Sequence, residues 1–216
     1  AYLIEEPLAA AIGAGVNIAE PTGSMIVDIG GGTTDIAIIS LGGIVVSESL
    51  RVAGNAFDEA IIRHVRHKEN LLIGERTAEE IKIRVGAALV EHDEDLRELE
   101  VRGRDLINGL PKTVSVTSED VVEALREPLG RIADGVRRVL ELAPPELVAD
   151  VIDRGIIMTG GGALLHNFDA LLRRTTGIPV MVAENATESV ALGTGAALEM
   201  LSALRDTLIS DRFLRR

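Results

Sequence analysis

Two triple-glycine runs, each entered from an apolar stretch, carry the chemistry this sequence shows: Asp28-Ile29-Gly30-Gly31-Gly32-Thr33-Thr34-Asp35 and Met158-Thr159-Gly160-Gly161-Gly162-Ala163. Glycine lets a ligand reach the main chain, so consecutive glycines can turn several N–H groups on one anion, as backbone nests do for phosphate. The hydroxyls of Thr33 and Thr34 add donors, and Asp28 and Asp35 can hold a hydrated Mg2+ that bridges phosphate oxygens. Without such a cation the carboxylates would repel the phosphate. The second run reads as strand, glycine turn and helix N-terminus, where unpaired N–H groups and the helix dipole favour an anion. Taken alone, each run also fits a plain structural turn, and short glycine motifs occur by chance. A mononucleotide site therefore rests on the pair. No Gly-Lys-Ser/Thr follows either run, and neither has the spaced glycines of a dinucleotide fingerprint.

The flanking patterns predict what must position these loops. Pro7 starts an alanine-rich helix that ends near Gly15, whose small side chains let another backbone approach closely. Met25 to Ile29, Asp35 to Ser40 and Ile44 to Ser49 read as an antiparallel meander. A helix follows from Gly54 through Val65, and a second begins at Thr77 with Thr77-Ala78-Glu79-Glu80 as a capping box. Ile81, Val85, Ala88 and Leu89 would form its buried stripe, with Glu79, Lys82 and Gly86 on a flanking face where Gly86 leaves room. Leu99, Val101, Val114 and Val116 mark short strands. Thr117 or Ser118 can cap a long helix with Pro128 as an interruption and Pro144-Pro145 at its end. A strand at "GIIMT", a helix from Ala163 to Arg174, a strand Ile178 to Val182 and a helix Thr187 to Leu201 complete the order, with a loose tail to Arg216.

Composition narrows the function classes. A formal charge of −12 and 2% aromatic content leave neither a basic track nor stacking platforms for nucleic acid. No uncharged apolar run reaches the ~18 residues of a membrane span. With no cysteine and no signal-peptide pattern, the expectation is a cytoplasmic chain. His64, His67, His92 and His166 stand at no metal-ligand spacing and read as helical polar residues. The chain opens inside a strand-like run, from which an upstream part is expected.

The ordered motifs "IEEPLAAAIGAG", "DIGGGTTD", "GERTAEEIK" and "GGGALLHNFDALL" resemble the actin-like ATPases, and within them the MreB family of bacterial actins, from Tyr2 to about Leu201. The resemblance implies an α/β actin-like ATPase fold (RNase H-like) around an ATP cleft, of which this chain would supply one side. Residues 1–24 would connect from a first lobe, 25–54 and 118–186 would form the nucleotide-binding lobe, 55–117 an inserted small subdomain, 187–201 a closing helix and 202–216 a tail. Gly30, Gly31, Gly32 and Thr33 would hold the β- and γ-phosphates, and Asp28 would position Mg2+ through water. Glu79, Glu80, Ile81 and Lys82 would face the adenosine, and Thr159, Gly160, Gly161 and Gly162 would lie beneath the nucleoside and α-phosphate. Glu6, before Pro7, would orient the attacking water, with Thr33 beside it; positioning and charge stabilisation of this kind suffice for slow hydrolysis.

The same resemblance implies filaments of self-associated copies, ATP and Mg2+ as cofactors, partners in the cell-wall elongation machinery, and a place at the inner face of the membrane. A DnaK-type chaperone ATPase and a sugar or acetate kinase share parts of the pattern. The family's first phosphate loop, of the Asp-x-Gly-Thr type, does not precede Tyr2. The resulting expectation is that the first lobe, with its membrane-contacting segment, is absent, and that the chain binds ATP poorly and scarcely hydrolyses it.

Overall fold

Continuous apolar runs buried on both faces set the central strands of the computed structural model, which describes residues 2–199 and 209–210. β1 (Tyr2–Leu3) leads into α1 (Glu6–Gly13), and β2 (Ser24–Ile29), β3 (Thr34–Ser40) and β4 (Gly43–Leu50) form the expected antiparallel meander. Met25, Val27, Ile29, Ile36 and Ile38 enter one core, while Ile26, Ala37 and Ile39 enter another on the opposite face with Leu8, Ala10 and Ala11 of α1. Side chains that alternate across the pleat let one ribbon serve both cores.

α2 (Gly54–Glu69) leads to β5 (Leu71–Leu72) and α3 (Glu75–Val85). α3 starts two residues before the expected Thr77, and the capping box does not form: Gly74 is the N-cap, and its carbonyl takes the Thr77 N–H. Ala78, Ile81 and Val85 are the buried stripe; Ala88 and Leu89 are buried beyond the helix end at Gly86. β6 (Glu98–Asp105) and β7 (Pro111–Thr117) pair with each other, and β5 completes a second, three-stranded sheet.

α4 (Ser118–Leu142) is capped reciprocally by Thr117 and Asp120. Pro128 lies inside it without interrupting it, contrary to expectation. The stripe Val121, Leu125, Leu129, Ile132, Val136 and Val139 packs into one core on both sides of the proline, which holds the two halves in line. α5 (Pro145–Arg154) precedes β8 (Ile156–Thr159), which inserts parallel to β2; α6 (Phe168–Thr176) and β9 (Val180–Val182) follow, giving the order β4-β3-β2-β8-β9. α7 (Ser189–Glu199) packs on α1 so closely that a Cβ on Gly13 would lie 1.7 Å from the Ser189 carbonyl oxygen. The last two residues of the predicted closing helix fall outside the described residues. So does the tail, except β10 (Ile209–Ser210), which pairs with β1. No described helix is long and apolar enough to cross a membrane.

Candidate functional site

Parallel pairing brings the two glycine runs together. Asp28 and Thr159 are in register on β2 and β8, so both strands deliver their loops at the same carboxyl end of the sheet, where α/β sheets bind ligands. In the first loop the Gly30 N–H donates to the Thr33 carbonyl, closing the hairpin at 3.0 Å. The N–H groups of Gly54 and Asn55 donate to the carbonyls of Gly30 and Gly31 at 3.1 and 2.8 Å, docking the loop on the start of α2. None of Gly30, Gly31 and Gly32 has positive φ. Nothing stands within 4 Å of a Cβ built on Gly32, and the nearest atom to one on Gly31 is Asn55 Oδ1 at 3.5 Å. Their bareness leaves open space against the main chain, which is what an approaching ligand needs.

The second loop uses glycine differently. Gly160 has φ +82°, and a Cβ there would lie 2.2 Å from the Ile29 carbonyl oxygen; one on Gly162 would lie 2.3 Å from Ile29 Cγ2. These two glycines seat the loop on the end of β2. The run then forms a single 3-10 turn, Gly161–Leu164, and α6 begins only at Phe168, after Asn167 in the left-handed conformation. The expected helix from Ala163 is therefore displaced, and the dipole of α6 is not aimed by the glycines. What the loop offers an anion is the main chain around Gly161.

A cavity of about 560 Å3 lies between the loops and α3, lined by Gly30, Gly31, Glu79, Lys82, Gly161 and Gly162 among the predicted residues. Lys82 Nζ sits inside it, 2.8 Å from Asp58 Oδ2 and 3.2 Å from the Gly54 carbonyl oxygen. Burial pushes the Asp58 carboxyl up, against the pull of Lys82, and its Oδ1 is buried without a hydrogen-bond partner. Asp58, Asn55, Arg97 and His166 also line the cavity and were not foreseen. Asp58 falls one turn after Gly54 on α2, a spacing that becomes informative only when α3 is known to pack there. Apolar Ile83 and Leu164, both largely exposed, stand at its mouth. Gly86 also lines the cavity, and a Cβ there would lie 2.1 Å from the Lys82 carbonyl oxygen and 2.9 Å from Leu165 Cδ1.

Other predicted residues lie apart from this cavity. Glu80 is exposed and pairs with Arg84 at 3.1 Å, and Ile81 is fully buried in the core. Gly32 and Thr33 form the loop tip outside the cavity lining. Thr34 offers no donor: its hydroxyl is buried and bonds the Val52 carbonyl at 2.7 Å. Glu6, Asp28, Asp35 and Thr159 gather on the α1 face at the end of β2. Asp28 and Asp35 are direct cross-strand partners. Burial, with the charges of Glu6 and Asp35 adding, raises the Asp28 carboxyl to about 6. Thr159 Oγ1 is buried beside it outside good hydrogen-bond geometry, yet near enough to pull the Asp28 carboxyl back down in part. A desolvated carboxylate beside a buried hydroxyl at the loop junction suits a hydrated cation. No group of three or more His, Asp or Glu among the described residues is placed to bind a metal directly.

His166 is a loop residue, not a helical one. Its Nε2 lies 2.6 Å from Asp95 Oδ1, and its carbonyl accepts the Ala88 N–H at 2.8 Å. With donors from His166, Glu91, His92 and Asn167, the Asp95 carboxyl is held far below the usual carboxylate range.

The sequence model of the MreB/Mbl protein family matches residues 1–206. The chain is 54% identical over 203 residues to the cell shape-determining protein Mbl of Bacillus subtilis (strain 168), covering 94% of this chain and 60% of that protein. It is 53% identical over 210 residues to the cell shape-determining protein MreB of Escherichia coli (strain K12), covering 97% and 60%. Among solved structures it is similar to MreB5 of Spiroplasma citri bound to AMPPNP, with TM-score 0.88, 40% identity, and 94% and 60% coverage. A MamK double helical filament shares the fold, with TM-score 0.75 at 24% identity over 90% of this chain and 58% of that one. The chain spans about 60% of the length of these curated relatives.

Proposed function

The chain belongs to the MreB/Mbl family, and from that footing we propose that it supplies one side of the nucleotide cleft of an actin-like cytoskeletal ATPase that determines cell shape. The observation that carries the reading is the cavity in which the two glycine loops meet Glu79 and Lys82 of α3. Its main-chain faces suit phosphates, and its apolar lips suit a nucleoside. The related MreB5 is known bound to AMPPNP and to ADP, which supports a purine nucleotide as ligand. The relatives' names favour this over a chaperone or a small-molecule kinase.

Within the proposed site, the Gly30 to Thr33 loop and the main chain at Gly161 embrace the phosphates, while Glu79 and Lys82 face the nucleoside. Asp28 would hold Mg2+ through water; when bound, the ion neutralises charge on the transferred phosphoryl group. Glu6 stands at the exposed start of α1, close enough for its charge to raise Asp28, and from there can orient a water. Thr33 supports it from the loop tip. The division into a nucleotide lobe (25–54 and 118–186) and an inserted subdomain (55–117) belongs to the same proposal, as do self-assembly into filaments and a place with the wall-elongation machinery at the inner membrane face. These last rest on the family alone.

The test is saturable binding of a fluorescent ADP analogue to this chain, together with ATP-dependent pelleting. Signal displaced by unlabelled ADP, and lost in Lys82→Ala, is expected. A folded chain with no displaceable signal at any concentration sinks the proposal.

A further inference from the structure

Asp95 is 8% exposed and accepts four hydrogen bonds. They come from the Glu91 and His92 N–H groups at 3.0 and 3.1 Å, from Asn167 Nδ2 at 3.0 Å and from His166 Nε2 at 2.6 Å. No Lys or Arg among the described residues pairs with it, and its side-chain donors are the imidazole and the Asn167 amide. Asn167 Nδ2 also reaches the Leu89 carbonyl at 3.1 Å, and the Ala88 N–H reaches the His166 carbonyl. These bonds join two segments far apart in sequence. One runs from the end of α3 toward β6; the other leaves the second glycine loop.

Each segment continues from an element that lines the cavity. α3 contributes Glu79, Lys82 and Ile83 to one wall, and the second loop contributes Gly161, Leu164 and His166 to the other. Apolar packing alone would hold them together without fixing their spacing. A buried carboxylate is costly to desolvate and is repaid only by well-aligned donors, so it enforces one geometry more than it adds stability.

We propose that Asp95 is a positioning residue which, through His166 and Asn167, clasps the two walls and sets how slowly a mononucleotide leaves the cavity. The clasp touches the wall and not the phosphates, so it acts on departure more than on encounter. The proposal rests on the cavity being the nucleotide site.

The experiment is stopped-flow release of fluorescent ADP from the chain, with Asp95→Asn, Asn167→Gly and the Asp95→Asn/Asn167→Gly double variant. Asp95→Asn keeps the shape and removes the charge; release about tenfold faster with an unchanged association rate is expected. Asn167→Gly keeps the left-handed backbone, removes a donor to Asp95 from outside the cavity lining and should also speed release. The double variant should release little faster than Asp95→Asn alone, which two independent structural losses would not produce. If Asp95→Asn does not fold, Asn167→Gly decides: faster release supports the clasp. Release within twofold of the parent in every folded variant overturns the clasp while leaving the site intact. No displaceable binding by the parent chain overturns the site reading and the clasp with it.

Discussion

Lys82 Nζ bonds both Asp58 Oδ2 and the Gly54 carbonyl oxygen, so one ammonium ties α3 to the first turn of α2 directly beneath the first glycine loop. Both side chains are mostly buried, at 18% and 14% exposure, so the pair is less screened than a surface ion pair. Removing one partner leaves the other charge desolvated. Lys82→Met is expected to destabilise the chain by about 2 kcal/mol at neutral pH. Asp58→Asn/Lys82→Met should recover much of that loss without recovering ADP binding. Urea denaturation read beside a fluorescent-ADP titration checks this, and unchanged affinity in Lys82→Met would remove the lysine from the site.

The two glycine runs should respond oppositely to alanine. A Cβ on Gly160 meets the Ile29 carbonyl at 2.2 Å and must also bear φ +82°, so Gly160→Ala is expected to cost about 2–4 kcal/mol. A Cβ on Gly32 meets nothing within 4 Å, and Gly32→Ala should fold as the parent does. Any loss of nucleotide affinity in Gly32→Ala is then a loss of ligand space. Thermal melts and ADP titrations of both variants separate the roles; equal stability loss in the two would contradict the packing described.

Gly13 and Gly193 make the crossing of α1 and α7 possible. A Cβ on Gly193 would stand 1.8 Å from the Ala9 carbonyl oxygen, so Gly193→Ala must push the helices apart, at about 3 kcal/mol. Gly195, two residues on in the same helix, has open space, and Gly195→Ala should stabilise by about 0.5–1 kcal/mol. Chemical denaturation of the two single variants tests the contrast.

Local patterns carried much of this architecture. The meander was legible because apolar, β-branched runs flank the glycine turns, and α4 because its apolar stripe is long and Thr117 caps it. The close α1 and α7 crossing was half visible in the small residues of α1. Start signals competing over two or three residues were not legible. Thr77 looks like a cap, yet Gly74 takes that role because its extended backbone already presents the carbonyl. His166 looked helical because the 3-10 turn at Gly161–Leu164 leaves no mark in hydrophobic periodicity. Asp58 and Asp95 were missed for a different reason: their partners, Lys82 and His166, are 24 and 71 residues away. Only the tertiary packing brings such charges together.

Asp28 gives the most direct reading of the acidic end of β2. Its carboxyl sits at about 6 in the folded chain against an ordinary 3.8. The folded state therefore binds this proton more tightly than the unfolded state, and stability falls as pH rises through that window, staying low above it. The loss at neutral pH is at most roughly 3 kcal/mol. Asp28→Asn removes it, so the variant should exceed the parent by about 1–3 kcal/mol near pH 7.5 and match it below about pH 4. A cation at Asp28 favours the ionised form, so Mg2+ with ADP should narrow the gap by stabilising the parent and not Asp28→Asn. Urea denaturation of both chains across pH, with and without Mg2+ and ADP, measures each term. A gap that does not change with pH would mean that Asp28 is not the desolvated carboxylate, and a gap indifferent to Mg2+ would take the ion away from it.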